Sequence, residues 1–324
     1  MLRWSRVPVL RRVEPFVVAI LSAVLVAALL PAGGAVATGF SWGTTIGVGV
    51  LFLLYGARMA PAEAVAGLRN WRLQGSVAAT TYLLFPLLGT GLALVVGHVL
   101  DDGLVAGLLF LCALPSTVQS CVVFTAVAHG NVPGAVVSAT VSNLAGIGLT
   151  PVLAALLLGS TGAGPDAGAI GRIVLQLLVP FLLGLLLGRW IGGWVRAHKG
   201  RLTLLDRGVI VAVVYAAFSR GVRQGVWSEV TPAEVLVVLG CAALLLAVAL
   251  TFAWWVPRWW GASRADRVTT AFCGSTKSLA TGLPMATVLF PPHVVGLVVL
   301  PVILYHPLQT TVCSFLAGRL GRQR

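Results

Sequence analysis

Apolar residues in this 324-residue chain come in long runs, without the alternation of a half-buried strand. From Phe16 to Leu316 one run of membrane-spanning length follows another, separated by short polar stretches. About 20 apolar residues cross a bilayer as a helix. The pattern predicts ten spans, at 16–34, 40–57, 75–98, 103–128, 132–158, 169–188, 208–223, 232–256, 268–290 and 293–317. The seventh is the shortest, because Asp206 and Arg207 at its start and Ser219, Arg220 and Arg223 at its end leave an apolar core of only 208–218. Lipid offers backbone N–H and C=O groups no partners, so spanning segments must be helices or a closed barrel. Long runs without a period of two select helices, and the fold class is an all-α polytopic membrane protein.

Composition agrees: 58% of the residues are hydrophobic, 10% are charged and the mean hydropathy is +0.97, whereas soluble domains carry about 25% charge. The 38 glycines suit close helix packing. Cys112, Cys121, Cys241, Cys273 and Cys313 all fall in apolar runs, without a C-x-x-C pair. They read as small packing residues and not as a metal site or disulfide framework. A cleavable signal peptide is the competing reading of the first span, since Arg3, Arg6, Arg11 and Arg12 precede a run ending near Ala35-Val36-Ala37. That run is longer than the usual h-region of about 7–15 residues.

Charge sets the expected orientation. With the N-terminus inside, eighteen of the 22 basic residues fall in cytoplasmic segments, and only Arg172, Arg220 and Arg223 fall in outer loops. The positive-inside rule then places both termini in the cytoplasm and the protein in the plasma (inner) membrane. The net charge of +13 is spread over these segments in small groups, which suits contact with membrane lipid and gives no nucleic-acid surface.

Polar residues inside the spans carry the functional signal, because they must be paired or wet. Span four contains Leu114-Pro115-Ser116-Thr117-Val118-Gln119-Ser120, and span nine contains Cys273-Gly274-Ser275-Thr276-Lys277-Ser278. Each sets a helix breaker before a Ser-Thr pair, and five spans separate the two. An odd number of spans per half inverts the second half, so residues 1–165 and 166–324 are expected to form two inverted five-helix repeats. Matching interruptions in such halves point to a midplane binding site; ordinary packing by Ser, Thr and Gly around a proline kink is the alternative. Span five adds Ser138, Ser142 and Asn143, and span ten adds His306 and Gln309. Asn143 and Gln309 can either brace the interrupted backbone or touch the solute. His306, beside Pro307, reads as a packing residue or a proton carrier.

The run Ala113–Cys121, the stretches Ser138–Asn143 and Phe272–Ala286, and the segment Tyr305–Gln309 resemble the SBF-like branch of the sodium/bile acid symporter family. The resemblance covers nearly the whole chain. It implies a panel domain of helices 1, 2, 6 and 7 moving against a core domain of helices 3–5 and 8–10, with broken helices 4 and 9 crossing at mid-membrane. It also implies solute or ion contacts at Ser116, Thr117, Gln119, Ser138, Ser142, Asn143, Ser275, Thr276 and Ser278, with Na+ at Ser116, Thr117, Ser142, Asn143 and Ser275. This sequence departs from the pattern in having no acidic residue within a span core, where the bile acid branch has a glutamate on span nine. Lys277 is instead the one charge deep in a span.

The expected activity is secondary transport of a small organic solute, best read as an organic anion, without an organic cofactor and with Na+ or H+ as the possible coupling ion. Lys277 is expected to stand in for a bound cation, either permanently or by releasing a proton during the cycle. A non-transporting regulator of ion homeostasis and an intramembrane enzyme are the rival classes. The serines have no evident base, so the chain is not expected to be an enzyme.

Overall fold

Runs of leucine, valine and alanine with no consistently water-facing side satisfy their own backbone as helices, and no strand occurs among the described residues. The computed structural model describes residues 15–58, 70–159, 167–225, 227 and 230–323. Arg3, Arg6, Arg11, Arg12, Arg69 and Arg324, which enter the orientation argument, lie outside them.

In chain order the helices are α1 (Pro15–Leu29), α2 (Gly34–Arg58), α3 (Trp71–Val96), α4 (Asp102–Ala113), α5 (Gln119–Val127), α6 (Val132–Gly159) and α7 (Ala167–Ala197). They continue with α8 (Lys199–Arg223), α9 (Pro232–Trp255), α10 (Arg264–Ser275), α11 (Leu279–Leu289) and α12 (Val295–Arg322). Among the described residues, 7 helices are long and apolar enough to cross a membrane. Exposed Leu21, Leu25, Leu87, Leu94, Leu156 and Leu186 cover their outer faces, a surface that only lipid solvates well. The protein is an integral membrane protein.

Several boundaries differ from the sequence expectation for identifiable reasons. The seventh predicted span is not short: α8 begins at Lys199, and its Asp206 forms an ion pair with Arg58 of α2, so the helix runs through its charged stretch without leaving that carboxylate unpaired. Predicted span six becomes the longer α7, and predicted span two starts earlier, at Gly34. Spans four and nine are each two helices, α4–α5 and α10–α11. Within α3, residues Thr80–Leu84 take π-helical geometry, an irregularity often found at functional sites.

Helix α2 lies along α7 at backbone contact. A Cβ on Gly56 would strike the Phe181 carbonyl, and one on Gly184 would strike that of Leu53. Helix α1 packs on α8, which also touches α2. Helix α4 packs against α3, α6 and α12, while α9 packs against α10 and α12. Side-chain hydrogen bonds tie helix ends and loops together: Tyr215 donates to the Leu30 carbonyl at 2.9 Å, the Asp101 N–H donates to Glu234 at 3.0 Å, Asn131 donates to Asp266 at 2.8 Å, and Arg264 donates to the Leu320 carbonyl at 2.6 Å.

Candidate functional site

The first break follows from proline geometry. Pro115 disfavours α geometry in the residue before it, and Leu114 is extended, at φ −70° and ψ 150°. Helix α4 therefore stops at Ala113, and α5 restarts at Gln119. The second break has no proline at its edge. There Thr276 and Ser278 are extended, and the Ser278 hydroxyl caps α11 by accepting from the Thr281 N–H at 3.3 Å.

The two breaks cross. The Ser278 N–H donates to the Pro115 carbonyl at 2.8 Å, and the hydroxyls of Ser116 and Thr276 meet at 3.3 Å. Two helix C-termini and two N-termini thus face one another inside the protein, where each open backbone group must find a partner.

Most partners come from α6, α12 and α3. The Ser116 N–H donates to the Ser142 hydroxyl at 3.0 Å, and Asn143 donates to the Ser116 carbonyl at 2.7 Å. Gly146 leaves room for Pro115, whose Cβ would lie 2.8 Å from a Cβ added there. At the second break, Gln309 accepts from the Lys277 N–H at 2.7 Å and donates to the Lys277 carbonyl at 2.9 Å. Of the two roles open to Asn143 and Gln309, the structure displays bracing. His306 Nδ1 lies 3.2 Å from Gln309 Nε2. The C-terminus of α10 is closed by hydroxyls: Ser275 donates to the Ala271 carbonyl at 2.6 Å, Thr276 to that of Phe272 at 2.8 Å, and Tyr305 to that of Ser275 at 2.7 Å.

The C-terminus of α4 is closed by a charge. Lys277, 1% exposed, donates through Nζ to the carbonyls of Leu114 at 2.8 Å, Thr81 at 3.0 Å and Cys112 at 3.1 Å. Its Nζ also sits 4.0 Å from the Phe85 ring centroid. Burying a lysine at membrane depth costs about 2.5–3.5 kcal/mol on insertion scales. Three charge-assisted hydrogen bonds of roughly 1.5–3 kcal/mol each, a helix C-terminus and a ring face offset that cost.

The predicted residues therefore divide. Ser116, Ser142, Asn143, Ser275, Thr276, Lys277, Ser278, His306 and Gln309 belong to this network or its immediate caps. Gln119 does not: it is exposed on the first turn of α5, whose N-terminus has no side-chain cap. Thr117 and Ser138 are buried, at 8% and 1% exposure, with hydroxyls that find no protein partner. Beside the crossing, a small cleft of about 10 Å³, room for roughly one water, lies between α1 and the α11–α12 pair, lined by Val17, Ile20, Leu279, Ile303 and His306.

Sequence reasoning missed Thr81, Tyr82, Phe85 and Thr150, and gave Tyr305, within the span-ten segment, no role. Tyr82 donates to the Ser142 carbonyl and Thr150 to that of Ala113. A tyrosine inside an apolar span needs a partner for its hydroxyl, which was the available signal for Tyr82 and Tyr305. Nothing in the sequence marks the π-helical turn that aims the Thr81 carbonyl at Lys277.

Interrupted helices crossing over a polar network, inside a lipid-facing helical shell, define a carrier-type membrane protein. The chain belongs to the SBF-like CPA transporter family, whose sequence pattern matches residues 14–322. It is 48% identical over 312 residues to "Uncharacterized protein PA2026" of Pseudomonas aeruginosa, covering 96% of this chain and 94% of that one. It is 41% identical over 313 residues to "Putative symporter YfeH" of Escherichia coli, covering 97% and 94%. To "Sodium/bile acid cotransporter 7" of Rattus norvegicus it is 27% identical over 278 residues, covering 84% and 81%. Family and relatives point to secondary transport of a small solute and away from catalysis.

Proposed function

We propose that the protein is a symporter that moves a small organic anion across the plasma (inner) membrane by alternating access, driven by a Na+ or H+ gradient. Both termini are cytoplasmic in this reading. Helices α1, α2, α7 and α8 form a panel, and α3–α6 with α9–α12 form the core that moves against it. Residues 1–165 and 166–324 are the two inverted repeats, giving ten passages through the membrane.

One observation carries the choice of an anion: the uncapped N-terminus of α5, at the crossing, beside exposed Val118 and Gln119 and the unpartnered hydroxyl of Thr117. Open N–H groups at the positive end of a helix favour a carboxylate or similar group. Names of two relatives, a symporter and a sodium/bile acid cotransporter, support coupled transport. Arg189 on Trp190 and Arg258 on Trp255, stacked at 3.6 and 3.9 Å, suit the lipid headgroup zone on the cytoplasmic side.

The test is uptake of a panel of labelled organic anions, neutral solutes and organic cations into proteoliposomes, with Na+ and proton gradients imposed separately. Saturable uptake of one or more anions, raised by one gradient, is expected. Preference for a neutral solute or cation would overturn the anion assignment.

A further inference from the structure

Lys277 occupies a site made of backbone oxygens: the carbonyls of Thr81, Cys112 and Leu114 all lie within 3.1 Å of its Nζ, and the Phe85 ring centroid lies 4.0 Å from the same atom. The oxygens come from three separate features: the π-helical turn of α3, the last turn of α4 and the first break. Converging backbone carbonyls are how proteins replace the hydration shell of a monovalent cation. An aromatic face adds to the attraction. Such a group of oxygens is repulsive unless a cation or a set of donors sits among them.

We infer that these three carbonyls and the Phe85 ring form a monovalent-cation cage, and that the chain fills it with its own tethered ammonium. A protonated lysine has three N–H donors, one for each carbonyl; a neutral amine has two and would leave one carbonyl without a partner. The three acceptors thus match the charged form of the amine in this conformation. No carboxylate forms an ion pair with Lys277 among the described residues, so backbone dipoles hold the charge. Oxygen spacings of 2.8 to 3.1 Å suit an ion of ammonium or potassium size better than the smaller sodium ion. Because the tether reaches from the second break to the first, the ammonium also welds the crossing. A metal ion in this cage is therefore not needed to assemble the site. This inference deepens the transport reading by excluding the cage as the source of the coupling ion, yet its test does not depend on transport.

The experiment is thermal unfolding of purified protein in choline chloride, with choline exchanged for ammonium, potassium or sodium. The wild type should melt at one temperature in choline, ammonium and potassium, and any gain in sodium should persist in the Lys277 variants because it arises outside the cage. Lys277→Met keeps the side-chain stem and removes the ammonium; it should melt lower in choline and recover saturably with ammonium or potassium, and less with sodium. Lys277→Ala opens more room, and propylammonium should restore it better than methylammonium. Saturable stabilisation of the wild type by ammonium or potassium would overturn the inference, since the tethered ammonium leaves the cage no vacancy for either. So would variants that respond to no cation, or that fail to fold even when extracted in ammonium or potassium. A wild type that transports no anion but shows this salt pattern would reject the proposed function while leaving the cage intact.

Discussion

The hydroxyls of Ser116 and Thr276, 160 positions apart in sequence, meet at 3.3 Å where the two interrupted helices cross. That contact joins the first half of the chain to the second at a point where neither helix continues. Thr276 also holds the Phe272 carbonyl at the end of α10. Replacing its hydroxyl by a methyl keeps the shape and removes both hydrogen bonds. Thr276→Val should reduce stability by about 1–2 kcal/mol and weaken solute uptake, read as a raised KM in proteoliposomes. Wild-type melting and wild-type KM together would mean the contact is incidental.

Gln309 holds both backbone groups of Lys277. Gln309→Leu leaves a buried N–H and a buried C=O without partners, at roughly 1–3 kcal/mol each. The variant should insert but melt several degrees below the wild type, whereas Gln309→Glu, which can still accept from the N–H, should lose less if it stays protonated. Equal melting of Gln309→Leu and the wild type would show that the second break does not depend on this brace.

The first turn of α5 is where a negative charge on the solute is expected. Gln119 is exposed there, so changing it should not disturb packing. Gln119→Glu places a competing carboxylate at the helix N-terminus and should weaken anion uptake by roughly fivefold, in line with about 1 kcal/mol for a charge near a helix end. Gln119→Leu should change it little. Identical anion affinity in the Glu and Leu variants would place the anion elsewhere.

Arg58 and Asp206 tie α2 to α8. Asp206→Asn should lower stability, by the order of 1 kcal/mol for a partly exposed pair, read as a lower melting temperature. The swap Arg58→Asp with Asp206→Arg should recover part of the loss. A swap no better than either single change would assign the loss to local packing of α8.

The all-helical class and the two interrupted spans are legible in the sequence. Proline at 115 and the paired Ser-Thr steps announce interruptions because their local chemistry opposes a continuous helix. Span seven runs beyond its apolar core because Asp206, a boundary signal when read locally, pairs with Arg58 148 positions earlier, and no local pattern shows such a pairing. Ser142, Asn143 and Gln309 were legible as polar groups that need partners, but their bracing role depends on which backbone atoms are open at the crossing. Gln119 shares the motif of span four, and the structure leaves it exposed on the first turn of α5. The carbonyl cage was invisible, since backbone oxygens carry no sequence signature and a π-helical turn sets one of them.

The most direct test of the account is anion uptake into proteoliposomes by wild type and Thr117→Val, measured side by side under each ion gradient. Thr117 contributes a buried hydroxyl with no protein partner at the crossing, so its loss should spare folding and act on the solute. The account predicts saturable, gradient-driven anion uptake by the wild type and a several-fold higher KM in the variant with melting unchanged. Anion flux no greater than in protein-free liposomes, under every gradient, would contradict it.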